Sequence, residues 1–416
     1  SWRETRGWRE TRGHLMALND DAKAIAADLT DLRHRIHADP EMGLDLPRTQ
    51  QKVLAALAGL PLEVTPGQGL SSVTAVLRGE RPGPTVLLRG DMDALPVTER
   101  TGVAYSSAVE GVMHACGHDL HTAILAGAAR ILAARKAELP GNVIFMFQPG
   151  EEGQCGAGKM IQEGVLDAAG ERPAAAYALH VLAAGVPTGM VCTRPGPMMA
   201  AADVLSVTVH GRGGHASQPH LAEDPIPVAC EMVTALQVLV TRRFDAFDPV
   251  VFTVGSFHAG SVDNVIPDQA RFLATIRSFS APARDRAREM TRRLAEGIAA
   301  AHGLRAAIEY TPGYPVTVND AAETAFAEQT ISGLLGSDRL IRAGTPMAGS
   351  EDFSLVLEEV PGAFVMLGAC PPGSDPATAP FNHAPDAVFD DSVLADGAAL
   401  LAGLAMGRLR GEPYQD

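Results

Sequence analysis

A thiol, two imidazoles and a carboxylate fall within seven residues of the sequence, Met113-His114-Ala115-Cys116-Gly117-His118-Asp119. Cys116 and His118 are two apart, a spacing that places both on one side of an extended segment. Gly117 between them permits the tight turn that would let both face one ion. Alone, the pair is weak: buried cysteines and hydrogen-bonded histidines are common. Four further segments add possible ligands or carboxylates: Arg89-Gly90-Asp91-Met92-Asp93, Gln148-Pro149-Gly150-Glu151-Glu152-Gly153, His180, and Phe381-Asn382-His383-Ala384-Pro385. Singly, each reads as a cap, a turn or a solvated charge; together they read as a metal site.

The adjacent carboxylates Glu151 and Glu152 are the sharpest feature. Neighbours at a strand end point in different directions, so one can bind a metal while the other faces a metal-activated water. A metal lowers the pKa of its water toward ~7 and polarises a carbonyl. The second carboxylate then takes the water's proton and returns it to a leaving nitrogen. That is the chemistry of amide hydrolysis.

Short apolar runs precede three of these segments. Ser72–Leu77, Thr85–Arg89, Asn142–Phe147 and Ala175–Val181 have strand character, and Thr122–Glu138 is helical. Apolar strands alternating with helices predict an α/β domain with a mostly parallel, buried sheet, and open α/β sheets put their sites at the C-terminal strand ends. After Pro195-Gly196-Pro197 the pattern changes. Val204–His210, Pro225–Arg243, Val250–Phe257, Arg271–Phe279, Ala283–His302 and Arg305–Thr311 read β-α-β-β-α-β, the ferredoxin-like order. From Asp320 the α/β pattern returns, with a helix to about Leu335, a strand at Ala363–Gly368 and a helix at Ser392–Arg408. The expected organisation is a catalytic domain at 16–197 and 315–416, interrupted by an inserted α+β domain at 198–314 that serves as a dimerisation or lid domain.

The sequence has 416 residues, 46% hydrophobic and 20% charged, with a net charge of −15. Residues 1–15 contain WRETRG twice in tandem and read as an artefact of cloning or of the start site. They carry four Arg and two Glu, so the remainder carries −17. That charge argues against nucleic-acid or anionic-membrane partners. No secretory signal or membrane-length apolar run is visible. The five widely spaced cysteines do not suggest a disulfide framework, and a reducing cytoplasm is expected.

The segments LRHRIHADPEMGLDLPRT, LRGDMDALPVTE, MHACGHDLHTA, FQPGEEG, ALHV, GRGGHASQPH, NVIP, GSEDFS and NHAPDAVFD resemble the amidohydrolase branch of the aminoacylase and glutamate-carboxypeptidase di-metal peptidase family. Hippurate hydrolases and indole-acetyl-amino-acid hydrolases belong to that branch. The resemblance runs in order from about Leu32 to about Gly407. It implies two divalent ions, zinc, manganese or nickel, held by Cys116, His118, Glu152, His180 and His383, with Glu151 as general acid/base. Asp91 and Asp93 would support His118 or its neighbours, and His114 and His121 would be supporting hydrogen-bonders. The resemblance also implies a homodimer, or a tetramer, built through the inserted domain. His215 would then polarise the scissile carbonyl, reaching the partner's active site. Asn264, Arg277, Gly349 and Ser350 would contact or line the site of a small-molecule substrate. Arg277 lies among apolar strand residues, so it faces either a substrate carboxylate or an internal salt bridge.

The implied activity is hydrolysis of N-acyl amino acids; a dipeptidase or carboxypeptidase of the same family is the nearest alternative. A cysteine hydrolase with Cys116 as nucleophile and His118 or His180 as base leaves the Glu151-Glu152 pair and His383 without a role. A non-catalytic, metal-stabilised binding protein leaves Glu151 without one.

Overall fold

A computed structural model describes Gly13 and residues 15–411. The tandem repeat, apart from Gly13, lies outside the described residues. Contacts divide the chain into two compact units. Among the described residues, the first comprises Gly13 and residues 15–198, 318–345 and 355–411; the second is residues 199–317 and 346–354.

The first unit is built on an eight-stranded sheet. Its strands are β1 (Leu62–Pro66), β2 (Val73–Arg78), β3 (Arg81–Asp91), β4 (Pro140–Gln148), β5 (Ala175–Leu182), β6 (Val191–Thr193), β15 (Leu340–Arg342) and β16 (Gly362–Gly368), numbered in chain order with the strands given below. Their spatial order is β1-β2-β4-β3-β5-β16-β6-β15. The centre, β4-β3-β5-β16, is parallel; β1, β2 and the β6–β16 pairing are antiparallel. Every residue of β5 and β16 is buried, as expected of strands covered on both faces. The short strands β1, β6 and β15 were not legible in the sequence, because three to five residues carry too little alternation to separate strand from loop.

Helices α1 (Ala26–Ala38), α2 (Pro47–Leu57), α3 (His118–Ala134) and α9 (Val393–Arg410) pack with this sheet around one apolar core. Small residues let α3 approach α1 and α9 closely. A Cβ on Gly127 would lie 2.8 Å from Leu29 and 2.9 Å from Ala398. Helix α3 begins at His118, four residues before its Ala/Leu pattern announces it. Its first turn is occupied by His118, Asp119 and His121, which mask the apolar periodicity. Gly117 precedes it with φ +80°, and a Cβ there would meet Val181 at 2.3 Å. Only glycine satisfies both demands.

Two short helices, α4 (Gly156–Gln162) and α8 (Ser354–Glu359), escaped the sequence reading, whereas α7 (Ala321–Leu335) starts where its N-cap Asp320 accepts from two backbone N–H groups.

In the second unit, β8 (Ala201–His210), α5 (Pro225–Arg243), β10 (Val250–Ala259), β12 (Gln269–Ser278), α6 (Ala281–Ala301) and β13 (Arg305–Pro312) follow in the expected β-α-β-β-α-β order. The antiparallel sheet runs β10-β12-β8-β13. Buried positions alternate along β8 and β12, and the two helices cover that face. A two-residue pairing joins β9 (Gly214–His215) to β11 (Val265–Ile266). A last pair, β7 (Gly196–Met199) with β14 (Thr317–Asn319), accompanies the chain into and out of this unit. No helix among the described residues is long and apolar enough to cross a membrane.

Candidate metal centre

The parallel register brings three chain segments to one edge of the first unit's sheet. Asp91 ends β3 opposite Gln148, which ends β4, and His180 lies in β5 opposite Met366. The strand carrying His180 continues to Leu182, so this ligand candidate is held by sheet pairing and not by a loop.

Around that edge, two groups of three donors share one sulfur. The donor atoms of Cys116, His118 and His180 lie within 4.8 Å of one another, and so do those of Cys116, Glu152 and His383. The Cys116 Sγ stands 3.5 Å from His180 Nε2 and 3.3 Å from His383 Nε2. Zinc–sulfur and zinc–nitrogen bonds at a tetrahedral angle would set such atoms about 3.5 Å apart. His383 Nε2 also pairs with Glu152 Oε1 at 3.2 Å. His118 is wholly buried, and neither ring nitrogen meets a hydrogen-bond partner. Asp93 stands 3.4 Å from its Nδ1; Asp91 and Glu152 stand 3.6 Å and 3.9 Å from its Nε2. Unpaired imidazole nitrogens ringed by carboxylates and a thiol are a donor set that a divalent cation satisfies.

The electrostatics agree. Burial alone would raise the Cys116 thiol, but His180, His118 and His383 bring it down to about 6. Burial disfavours the His118 imidazolium, yet Asp91, Asp93 and Cys116 outweigh it and hold the pKa well above the ordinary value. Hydrogen bonds to Cys116 and Glu152 push His383 up to about 10. A divalent cation among these groups would balance the thiolate and the carboxylates.

A third group, Asp91, His118 and His121, also clusters within 4.8 Å. Its His121 is already committed. Nδ1 donates to Asp91 Oδ1 at 2.5 Å, and Nε2 accepts the Val181 N–H at 2.8 Å. Asp91 also pairs with the buried Arg89 at 2.8 Å. His121 therefore braces the strand beside His180, whose own Nδ1 donates to the Val181 carbonyl at 2.8 Å. His114 differs from the expectation: it is fully buried and neither ring nitrogen makes a hydrogen bond. Burial depresses its pKa to about 3, so it is a neutral core residue.

Glu151 is 6% exposed, and a carboxylate oxygen lies within 4.8 Å of donor atoms of His118 and Glu152. It belongs to neither thiol-sharing group.

Residues 87–407 match the model of peptidase family M20/M25/M40. The chain belongs to that family. Among M20 relatives, it is 36% identical to thermostable carboxypeptidase 2 of Saccharolobus solfataricus, over 94% of this chain and 97% of the relative. It is 35% identical to an N-acetylcysteine deacetylase of Bacillus subtilis, over 92% and 97%. A solved Bacillus subtilis structure described as a dinuclear metal binding peptidase from the M20 family superposes with a TM-score of 0.80 at 32% identity, covering 93% of this chain and 99% of that one.

The remaining site candidates of this M20 chain lie in its second unit. His215 is exposed on β9, opposite Val265, and its Nδ1 contacts the Ser217 hydroxyl at 2.8 Å. Asn264 is on the paired segment, where its carbonyl accepts the Ala216 N–H at 3.1 Å. Arg277 is half-buried on the face of β12 opposite the apolar core. Its Nη1 donates to Ser350 Oγ at 3.3 Å, and no carboxylate among the described residues pairs with it. Gly349 is exposed, and its carbonyl accepts the Ala200 N–H at 2.9 Å.

Sequence reading missed a buried network behind α3. Asp119 accepts from Arg33 Nε at 2.7 Å and from His37 Nδ1 at 2.8 Å, and His37 Nε2 meets Glu99 at 3.1 Å. The signal was the Arg33-x-x-x-His37 spacing, which puts both on one face of α1.

Proposed function

We propose that this chain hydrolyses the amide bond of an N-acyl amino acid, with Glu151 moving the protons beside a pair of divalent ions. The carrying observation is the buried Glu151 carboxylate set beside His118 and Glu152 yet outside both thiol-sharing donor groups. Cys116, His118 and His180 would hold one ion, and Cys116, Glu152 and His383 the other, with the thiolate shared. Zinc, manganese and nickel all suit this mixed sulfur, nitrogen and oxygen set. When bound, such ions supply Lewis acidity and a water of near-neutral pKa.

Glu151 would accept the proton of the attacking water and deliver it to the leaving nitrogen, so that the amine departs neutral. Asp91 and Asp93 support this arrangement from behind, through His121 and through the Glu151-Glu152 backbone. In a homodimer built through the second unit, His215 would steady the developing oxyanion in the partner's site. Asn264, Arg277, Gly349 and Ser350 would contact substrate, with the Arg277 guanidinium meeting its carboxylate. The similarity to a carboxypeptidase favours one second reading, cleavage of a C-terminal residue from a short peptide.

The test is a hydrolysis screen on metal-stripped protein resupplied with manganese, zinc, cobalt or nickel. N-acetyl, benzoyl and indole-acetyl amino acids compete there with dipeptides. Release of amino acid from acyl substrates only after an ion is restored is expected. Preference for dipeptides would favour the second reading, and ion-independent hydrolysis would overturn both.

A further inference from the structure

Resting on the two-ion reading, we propose that Asn382 is the positioning residue that sets the spacing of three of the five ligands. Its side chain joins the segments that carry them. Oδ1 accepts the Ala183 N–H at 2.9 Å, just past the His180 strand. Since that N–H can only donate, the amide orientation is decided, and Nδ2 faces the other way. Nδ2 donates to the Val181 carbonyl at 3.0 Å and approaches the Cys116 carbonyl at 3.4 Å and the Cys116 Sγ at 3.8 Å. The Val181 carbonyl is the same oxygen that receives His180 Nδ1 at 2.8 Å. One carboxamide therefore grips the backbone that orients His180 and the residue that offers the shared thiol.

The third ligand follows Asn382 directly in the chain. His383 has φ +75°, a left-handed conformation that a histidine adopts only when its surroundings impose it. Two contacts impose it: the Asn382 side chain on one side, and the His383 N–H donating to the Ala115 carbonyl at 2.7 Å on the other. With Asn382 anchored to the β5 exit, His383 can reach both Cys116 Sγ and Glu152. Without that anchor, the backbone at His383 relaxes and the two imidazoles lose their common reference to the sulfur. The weak N–H···S contact also withdraws charge from the thiolate, so the residue acts on the quality of the ligand as well as its place.

The experiment compares wild type with Asn382→Asp and Asn382→Ala. Asp retains the acceptor for Ala183 but replaces the donors facing Val181 and Cys116. Zinc affinity is measured by chelator competition, and the cobalt-loaded proteins are read by their thiolate-to-cobalt charge-transfer band; thermal melting of the stripped proteins reports folding separately. Both variants are expected to bind zinc about 10- to 100-fold more weakly and to shift or lose the band, while stripped Asn382→Asp melts close to wild type. Variants with wild-type affinity and band overturn the proposal, as does a lowered melt with neither property changed. A wild type that takes up no ion overturns the two-ion reading beneath it; a wild type that loads normally beside unaffected variants overturns this inference alone.

Discussion

The Asp93 carboxylate accepts the backbone N–H of Glu151 through one oxygen and that of Glu152 through the other, each at 3.0 Å. Glu151 and Glu152, to which the proposed function gives different tasks, therefore have their main chain gripped by a third carboxylate. In Asp93→Asn one oxygen becomes a donor facing an N–H, and a buried hydrogen bond becomes a repulsion. Divalent-ion affinity is expected to fall about 10- to 100-fold, measured by chelator competition. Unchanged affinity would show that the turn holds its shape without Asp93.

Glu151→Gln preserves shape and removes the proton acceptor. Elemental analysis should find wild-type metal content, with kcat reduced about 10²- to 10⁴-fold and KM little changed. Substantial turnover in fully loaded mutant protein would place the base elsewhere.

His37 predicts a pH dependence of stability. Burial opposes its charge, but Asp119 and Glu99 outweigh it and raise its pKa to about 8. A raised pKa stabilises the fold below the unfolded value near 6.5, and that contribution fades as pH rises through about 8. It amounts to roughly 2 kcal/mol. The melting difference between wild type and His37→Gln should be largest near pH 6 and shrink above pH 8; a difference constant over that interval would contradict the assignment.

Asp203 organises the second unit. It is 1% exposed, pairs with Arg284 at 2.7 Å, and accepts from the Tyr310 hydroxyl at 2.7 Å and the Gly313 N–H at 3.0 Å. Burial would raise its pKa, but Arg284, Tyr310 and Gly313 lower it below the usual carboxylate range. Its contribution is present above about pH 4 and lost as pH falls through the depressed pKa. Asp203→Asn should cost about 1.5–3 kcal/mol at neutral pH, read by denaturant unfolding, and less in acid.

If His215 serves the neighbouring subunit, His215→Ala and Glu151→Ala proteins, each inactive, should regain part of the activity when mixed and allowed to exchange subunits. Proven exchange without recovery would mean that one chain builds the whole site.

The sequence by itself determined the alternation of strands and helices, the β-α-β-β-α-β insertion, and the presence of a thiol, imidazoles and paired carboxylates at strand ends. These are written in short stretches of chain, where hydrophobic period and turn residues suffice. It could not show that helix α3 opens at His118, because the buried polar residues of its first turn break the periodic signal. Only the tertiary structure decided which atoms converge: that one sulfur belongs to two donor groups, that Asp93 grips a backbone, that His114 is left unpaired, and that Asn382 links β5 to the Cys116 loop. Those relations join residues up to 267 positions apart. Such distances depend on sheet register and helix packing, which no local pattern records.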